Sequence, residues 1–190
     1  MPRKSDAREK MVHAALALMQ RRGVGALGLL DVVAAAEAPR GSIYHHFPGG
    51  KDQVVIEAIR LAADSAEAAI RGAGERGGTP AEVARRIAAV FRYVPERSQW
   101  TTGCPVASTA VEGEHQAEAV RQAVADAFAR WAAAAAEALR RAGLEAAAAE
   151  RAGMALVAAL EGGLLLARGL RSAAPYEAAV EAFVAGLEAS

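Results

Sequence analysis

Apolar residues return along this chain at the spacing of one helical turn, from near its first residue to near its last. Val12, Ala15, Leu16 and Met19 fall on one side of a helix predicted from Asp6 to about Arg22, with Gly23 as its stop. Leu30, Val33 and Ala34 share a face of a second, short helix from Leu29 to Glu37, which Ala38-Pro39 breaks. Ile43 and Phe47, four residues apart, give a third short helix an inside, while Arg40, Ser42, Tyr44 and His45 give it a polar outside. Val55, Ile56, Ile59 and Ala63 stripe a longer helix from Asp52 to about Gly72, expected to link the first helices to the rest.

The pattern continues to the end. Pro80, at a favoured first-turn position, opens a helix bearing Val83, Ile87, Val90, Phe91 and Val94, with Pro95 as its expected end. A mixed turn and short helix, Ser98 to Glu114, precedes a long helix from about His115 to Ala142 striped by Val120, Val124, Phe128, Trp131, Ala135 and Leu139. Two amphipathic helices close the chain. The first, about Glu145 to Arg171, carries Met154, Val157, Leu160 and Leu164; the second, Pro175 to Glu188, carries Tyr176, Val180, Phe183 and Leu187. The run Gly72-x-Gly74-x-x-Gly77-Gly78 between helices reads as a loop, and without a preceding strand it is a poor phosphate cradle.

Composition sharpens this into an all-α fold. Hydrophobic residues make up 53% of 190, enough for a core, and abundant alanine with few β-branched runs favours helix over sheet. Formal net charge is zero, which by itself argues against a polyanionic partner. Its distribution does not: residues 1–51 hold eight Lys/Arg against four Asp/Glu, so the basic end is the end with the three short helices. Cys104 is alone, excluding an intrachain disulfide, and no apolar secretory run opens the chain, so a cytoplasmic location is expected. Glu161, Arg168 and glycines interrupt the most apolar stretch, and no membrane span is expected.

Two short helices joined by a tight turn make a helix-turn-helix, whose second helix enters the DNA major groove N-terminus first. The helix from Asp6, the Gly23-x-Gly25 break, the short helix at Leu29 and then Arg40-Gly41-Ser42-Ile43-Tyr44-His45-His46-Phe47 resemble the N-terminal domain of TetR-family transcriptional regulators. Gly103-Cys104-Pro105-Val106, with Phe47-Pro48-Gly49-Gly50-Lys51, is similar to the branch that includes LmrA/YxaF-type drug-responsive repressors. The resemblance implies a three-helix helix-turn-helix domain over residues 1–51 and a helical ligand-binding and dimerisation domain over 52–190. It implies contacts to double-stranded DNA from Arg3, Lys4, Gly28, Leu29, Arg40, Gly41, Ser42, Tyr44, His45 and Lys51. Gly28 stands where the family usually has a Ser or Thr cap, and Glu37 where it favours glycine; a positive φ at Glu37 carries a strain of about 1 kcal/mol.

Candidate lining for a small apolar or aromatic effector is Phe91, Trp100, Cys104, Phe128, Trp131, Leu160 and Leu164, each of which also suits ordinary core packing. Met154, Val157, Tyr176, Val180, Phe183 and Leu187 are candidates for a homodimer seam. Arg3, Lys4 and Arg8 touch phosphates or are solvated. The adjacent His45 and His46 point about 100° apart and do not share a metal easily. A lone Glu112-x-x-His115 lacks the partners of a carboxylate-bridged metal centre, so no metal, cofactor or catalytic activity is expected. Cys104 is either a small buried hydrophobe or an oxidation switch. The expected function is a ligand-released repressor that binds a palindromic operator as a homodimer. The alternative is a small-molecule-binding or protein-interaction dimer whose head reads no sequence.

Overall fold

The computed structural model describes residues 4–112 and 117–189, the side chains of Lys4 and Ser5 excepted. Among these residues every element is helical and none is a strand. The helices are α1 (Lys4–Arg22), α2 (Leu29–Ala35), a 3-10 turn (Arg40–Ser42) running into α3 (Ile43–His46), α4 (Gly50–Glu75), α5 (Pro80–Arg97), α6 (Pro105–Val111), α7 (Glu118–Arg141), α8 (Ala146–Leu170) and α9 (Ala174–Glu188). The chain forms two compact units, Met1–Ala62 with Cys104–Ala127 and Ala63–Gly103 with Phe128–Ser190, and passes between them three times, inside α4, between α5 and α6, and inside α7.

The first unit packs α1 to α3, the start of α4, α6 and the start of α7 around Met11, Ala15, Met19, Val32, Ile43, Phe47, Val54 and Ile59, all buried. Gly23, at φ +78°, ends α1 by donating its N–H to the Met19 carbonyl at 2.9 Å. In α2 the inner positions are Val32, Val33 and Ala36, whereas Leu30, expected on the inner face, is exposed. Seven residues are too few for periodicity to fix the register; the Leu29/Val32/Val33/Ala36 spacing fits a helix as well as the one read from sequence. Glu37 has φ +53°, the conformation that ends α2.

The second unit is organised around α8 and α9 with α5 and the C-terminal halves of α4 and α7. Thr79 and Glu82 cap α5 reciprocally, Thr79 Oγ1 accepting from the Glu82 N–H and the Glu82 carboxylate accepting from the Thr79 N–H. Contrary to the sequence reading, Pro95 lies inside α5, whose last turn continues to Arg97. Close to the helix end, the missing N–H deprives only the Phe91 carbonyl of a partner.

Gly72 and Gly74, expected in a loop, lie inside α4. Gly74 is there for packing: a Cβ on it would stand 2.7 Å from the Ala138 Cβ, so α7 approaches α4 at a distance only glycine allows. Gly153 does the same for α8, since its Cβ would meet the Ala132 carbonyl at 2.5 Å. By length and composition alone α8 would be long and apolar enough to cross a membrane, despite the Glu161, Arg168 and glycines that interrupt it. Leu156, Val157, Leu160 and Leu164 are buried among the helices of the second unit, which accounts for one face of that apolarity as core, while Met154, Leu165, Leu166 and Leu170 remain exposed.

Candidate nucleic-acid interface

Pro39, at φ −61° and ψ 134°, sets the entry of the third helix, and its carbonyl accepts both the Ser42 N–H at 2.9 Å and the Ser42 hydroxyl at 2.6 Å. The 3-10 turn so closed leads into α3, which ends where the Phe47 N–H meets the Ile43 carbonyl at 2.8 Å. Ile43 and Phe47 are fully buried; Arg40, Gly41, Tyr44 and His45 are exposed, Tyr44 at 66%. Burying two side chains of this size is worth about 1.5–3 kcal/mol each, ample to hold so short a helix to the rest of its unit. One face is therefore anchor and the other is offered outward.

Arg40 makes no hydrogen bond or ion pair with the described residues, so its guanidinium is available to a partner. A Cβ on Gly41 would meet nothing within 4 Å, so the unit's own packing does not require glycine there. The effect of glycine is a bare backbone beside Arg40. The His45 and His46 rings meet edge to face at 5.4 Å, with His46 half-buried and also 6.5 Å from the Phe47 ring, a packing contact rather than a shared chelate. Among the described residues no cluster of His, Cys, Asp or Glu is spaced to hold a metal ion. Of the remaining candidates, Gly28 precedes α2 in extended conformation without a side-chain cap, and Leu29 is half-buried at the helix start. The Lys51 ammonium donates to the Gly25 carbonyl at 3.3 Å. Arg3 and the side chain of Lys4 lie outside the described residues, as does His115.

Two supports of this surface have no sign in the local sequence. Arg8 lays its guanidinium 5.1 Å from the Phe47 ring centroid and pairs with the Glu57 carboxylate, so it braces the anchor instead of reaching outward. Glu112, just past α6, accepts the Gly25 N–H at 3.0 Å across 87 residues of sequence. A Cβ on Gly25 would lie 3.0 Å from that carboxylate. The Gly23-x-Gly25 break thus makes room for Glu112 as well as ending a helix.

In the second unit three effector candidates come together. Trp131 stands edge-on to Phe91 at 5.5 Å and to Phe128 at 5.7 Å, and its indole N–H donates to the Ala63 carbonyl at 3.1 Å. Trp100 packs at 6.1 Å on Tyr176, whose hydroxyl donates to the Ala88 carbonyl at 2.6 Å. Burial drives the Tyr176 phenol far above its ordinary range, with the nearby Glu161 carboxylate adding to the shift. Leu160 and Leu164 are buried in the same unit. Cys104 belongs to the first unit, where its sulfur caps α6 by accepting the Ala107 N–H at 3.4 Å.

Of the six residues proposed for a seam between copies, the structure buries Val157, Tyr176 and Val180 inside this chain and half-buries Phe183 and Leu187. Only Met154 is exposed. The exposed stripe of α8 is a different one, Met154, Ala158, Gly162, Leu165 and Leu166, because this helix is apolar on two faces and its stronger periodicity belongs to the core.

Comparison with known proteins gives concordant matches. Residues 11–58 match the family described as "Bacterial regulatory proteins, tetR family", and residues 80–182 match "Transcriptional regulator LmrA/YxaF-like, C-terminal domain". The HTH-type transcriptional regulator LmrA of Bacillus subtilis is 33% identical over 138 residues, 73% of each chain. YxaF of the same organism, another HTH-type transcriptional regulator, is 31% identical over 143 residues, 75% of each chain. A TetR transcriptional regulator from Legionella pneumophila shares the fold with a TM-score of 0.86 at 18% identity, over 98% of both chains.

Proposed function

The chain belongs to the TetR family of transcriptional regulators, with a C-terminal domain of the LmrA/YxaF-like kind, and on that premise we propose that it is a ligand-responsive repressor. It grips a palindromic operator as a homodimer and releases it when a small apolar or aromatic effector binds. The family is one of DNA-binding regulators and not of enzymes. Residues 1–51 are the reading head and 52–190 the ligand-binding and dimerising body, working on DNA in the cytoplasm.

The observation that carries this reading is the helix with Ile43 and Phe47 buried behind and Arg40, Tyr44 and His45 outward. A guanidinium at the start of such a helix suits the O6/N7 edge of guanine, and the Tyr44 hydroxyl suits a phosphate, as does that of Ser42 once it turns from the Pro39 carbonyl. Arg3, Lys4, Gly28, Leu29, Gly41 and Lys51 complete the proposed contact surface. Support for the homodimer is the exposed stripe of α8, where Leu165 and Leu166 are 67% and 58% accessible beside the small Ala158 and Gly162. Small residues let a second copy approach closely, and covering large apolar ones is worth about 25 cal/mol per Å². Two heads related by a two-fold axis then meet major grooves about 34 Å apart on one side of the duplex.

The effector's proposed place is the interior of the body, around Phe91, Trp100, Phe128, Trp131, Leu160 and Leu164. It shifts the protein toward a state with wrongly spaced heads only by its differential affinity for the two states. Operator DNA then weakens effector binding by the same factor.

The test is a mobility-shift titration against DNA flanking the protein's own gene, with scrambled competitor. The expected outcome is a sequence-preferring complex that Arg40→Ala weakens about tenfold or more, the scale of one lost bidentate base contact. Tyr44→Phe weakens it less, having lost one hydrogen bond. Binding that does not prefer the flanking DNA, or that ignores Arg40→Ala, overturns the proposal. For the effector, any compound that releases DNA is expected to perturb the fluorescence of Trp131 or Trp100, and release without such a change removes the interior site.

A further inference from the structure

The two glycines inside α4 are not equivalent. Gly74 makes room for Ala138, but a Cβ on Gly72 would meet nothing within 4 Å, so packing gives no reason for glycine at that position. Glycine in a helix interior costs about 0.5–1 kcal/mol relative to alanine. What lies on its open side is a recess of about 560 Å³ between α4 and α5, wholly within the second unit, lined in part by Gly72, Ala73, Arg76, Arg86, Val90 and Tyr93. That volume falls in the range of small-molecule sites.

The chemistry of the lining is one-sided. Two guanidinium groups face it and no carboxylate lines it. Arg86 is held in place by donating from Nε to the Ala73 carbonyl at 3.1 Å and from Nη2 to the Gly77 carbonyl. Arg76 has no partner among the described residues. The rest of the lining is small, apolar or aromatic, including Ala69, Ala89, Val90 and Tyr93. Tyr93 is 60% exposed, an unusual condition for a ring on a helix whose other face is core, and the Arg97 guanidinium stands 5.5 Å from its centroid. A fixed guanidinium, an unengaged one and an exposed ring around a trough of small side chains match a flat ligand with one negative end.

We propose that this recess binds a small aromatic anion, an arene carboxylate or sulfonate. Its charge sits between Arg76 and Arg86 and its ring lies along Ala73, Val90 and Tyr93. Gly72 keeps the trough open, and any larger side chain there projects into it. The site is distinct from the interior cluster around Trp131, so it stands or falls independently of the effector site proposed above.

The experiment uses the full-length protein without DNA and two fluorescent probes, anilinonaphthalene sulfonate and its uncharged counterpart N-phenylnaphthylamine. Saturable binding of the sulfonate is expected, weakened about tenfold or more by Arg76→Glu, which replaces an attractive charge by a repulsive one. Gly72→Leu fills the trough and abolishes that binding, while raising helix propensity so that the fold is retained. Phe128→Ala, which opens the interior cluster, leaves sulfonate affinity unchanged, and Arg76→Glu leaves that of the neutral probe unchanged. The proposal is overturned if the sulfonate does not bind saturably, or if its affinity survives either Arg76→Glu or Gly72→Leu in protein with native helical circular dichroism. Loss of sulfonate binding in Phe128→Ala alone would assign the probe to the interior and equally dismiss the recess.

Discussion

Replacing Glu37 by glycine should make the protein more stable, and the size of the gain follows from the turn itself. α2 ends with two backward hydrogen bonds, from the Glu37 N–H to the Ala34 carbonyl at 3.2 Å and from the Ala38 N–H to the Val33 carbonyl at 3.0 Å. This pair is the Schellman closure, and it requires the intervening residue to be left-handed, as Glu37 is at φ +53°. For a residue with a Cβ that conformation costs about 1–2 kcal/mol, and glycine returns part of the gain, about 0.4–1 kcal/mol, through the freer unfolded chain. The net stabilisation is about 0.5–1 kcal/mol, or a rise in Tm of roughly 1–4 °C for a chain of this length. Glu37 also places a negative charge at the C-terminal end of a helix, where the backbone dipole disfavours it. Glu37→Ala removes the charge and keeps the strain, so the difference between the two variants isolates the backbone term. The assay is thermal unfolding by circular dichroism at one fixed protein concentration, because any self-association makes Tm concentration-dependent. A Glu37→Ala variant as stable as Glu37→Gly refutes the reasoning, since the gain then owes nothing to φ.

Three further outcomes follow from contacts described above. Gly74→Ala is expected to destabilise by about 1–3 kcal/mol, because its Cβ collides with Ala138, while Gly72→Ala stabilises by about 0.5–1 kcal/mol; equal effects in a denaturant titration refute the distinction between the two glycines. Tyr176→Phe removes the buried hydroxyl that donates to Ala88, at a cost of about 1 kcal/mol near neutral pH. Because the folded phenol titrates far above its ordinary value, the unfolded chain loses its proton first, and stability falls as pH rises past about 10. Tyr176→Phe should flatten that alkaline loss, and an unchanged pH profile by denaturant titration counts against the burial of this phenol. Glu112→Ala leaves the Gly25 N–H without its acceptor and is expected to speed exchange of that amide with solvent; an exchange rate equal to wild type by NMR rejects the brace.

The sequence alone determined the helical class, the location of the helix-turn-helix and the inside and outside of its reading helix. Those are local properties: Ile43 and Phe47 sit one turn apart, Pro39 and Gly23 punctuate the chain, and neither depends on what lies far away. The same locality explains the errors. Whether Gly72-x-Gly74 is loop or helix depends on Ala138 closing against one glycine, and the Gly25 turn depends on a carboxylate 87 residues along. Leu30 and Val32 are equally apolar on paper, yet only Val32 meets a core. In α8 apolar residues occupy two faces, and no periodicity can say that Val157 and Leu160 go inward while Leu165 and Leu166 stay at the surface. Pattern records which residues avoid water; packing between distant helices decides which of them succeed, because close contact is made pair by pair and has no counterpart in the spacing along one element.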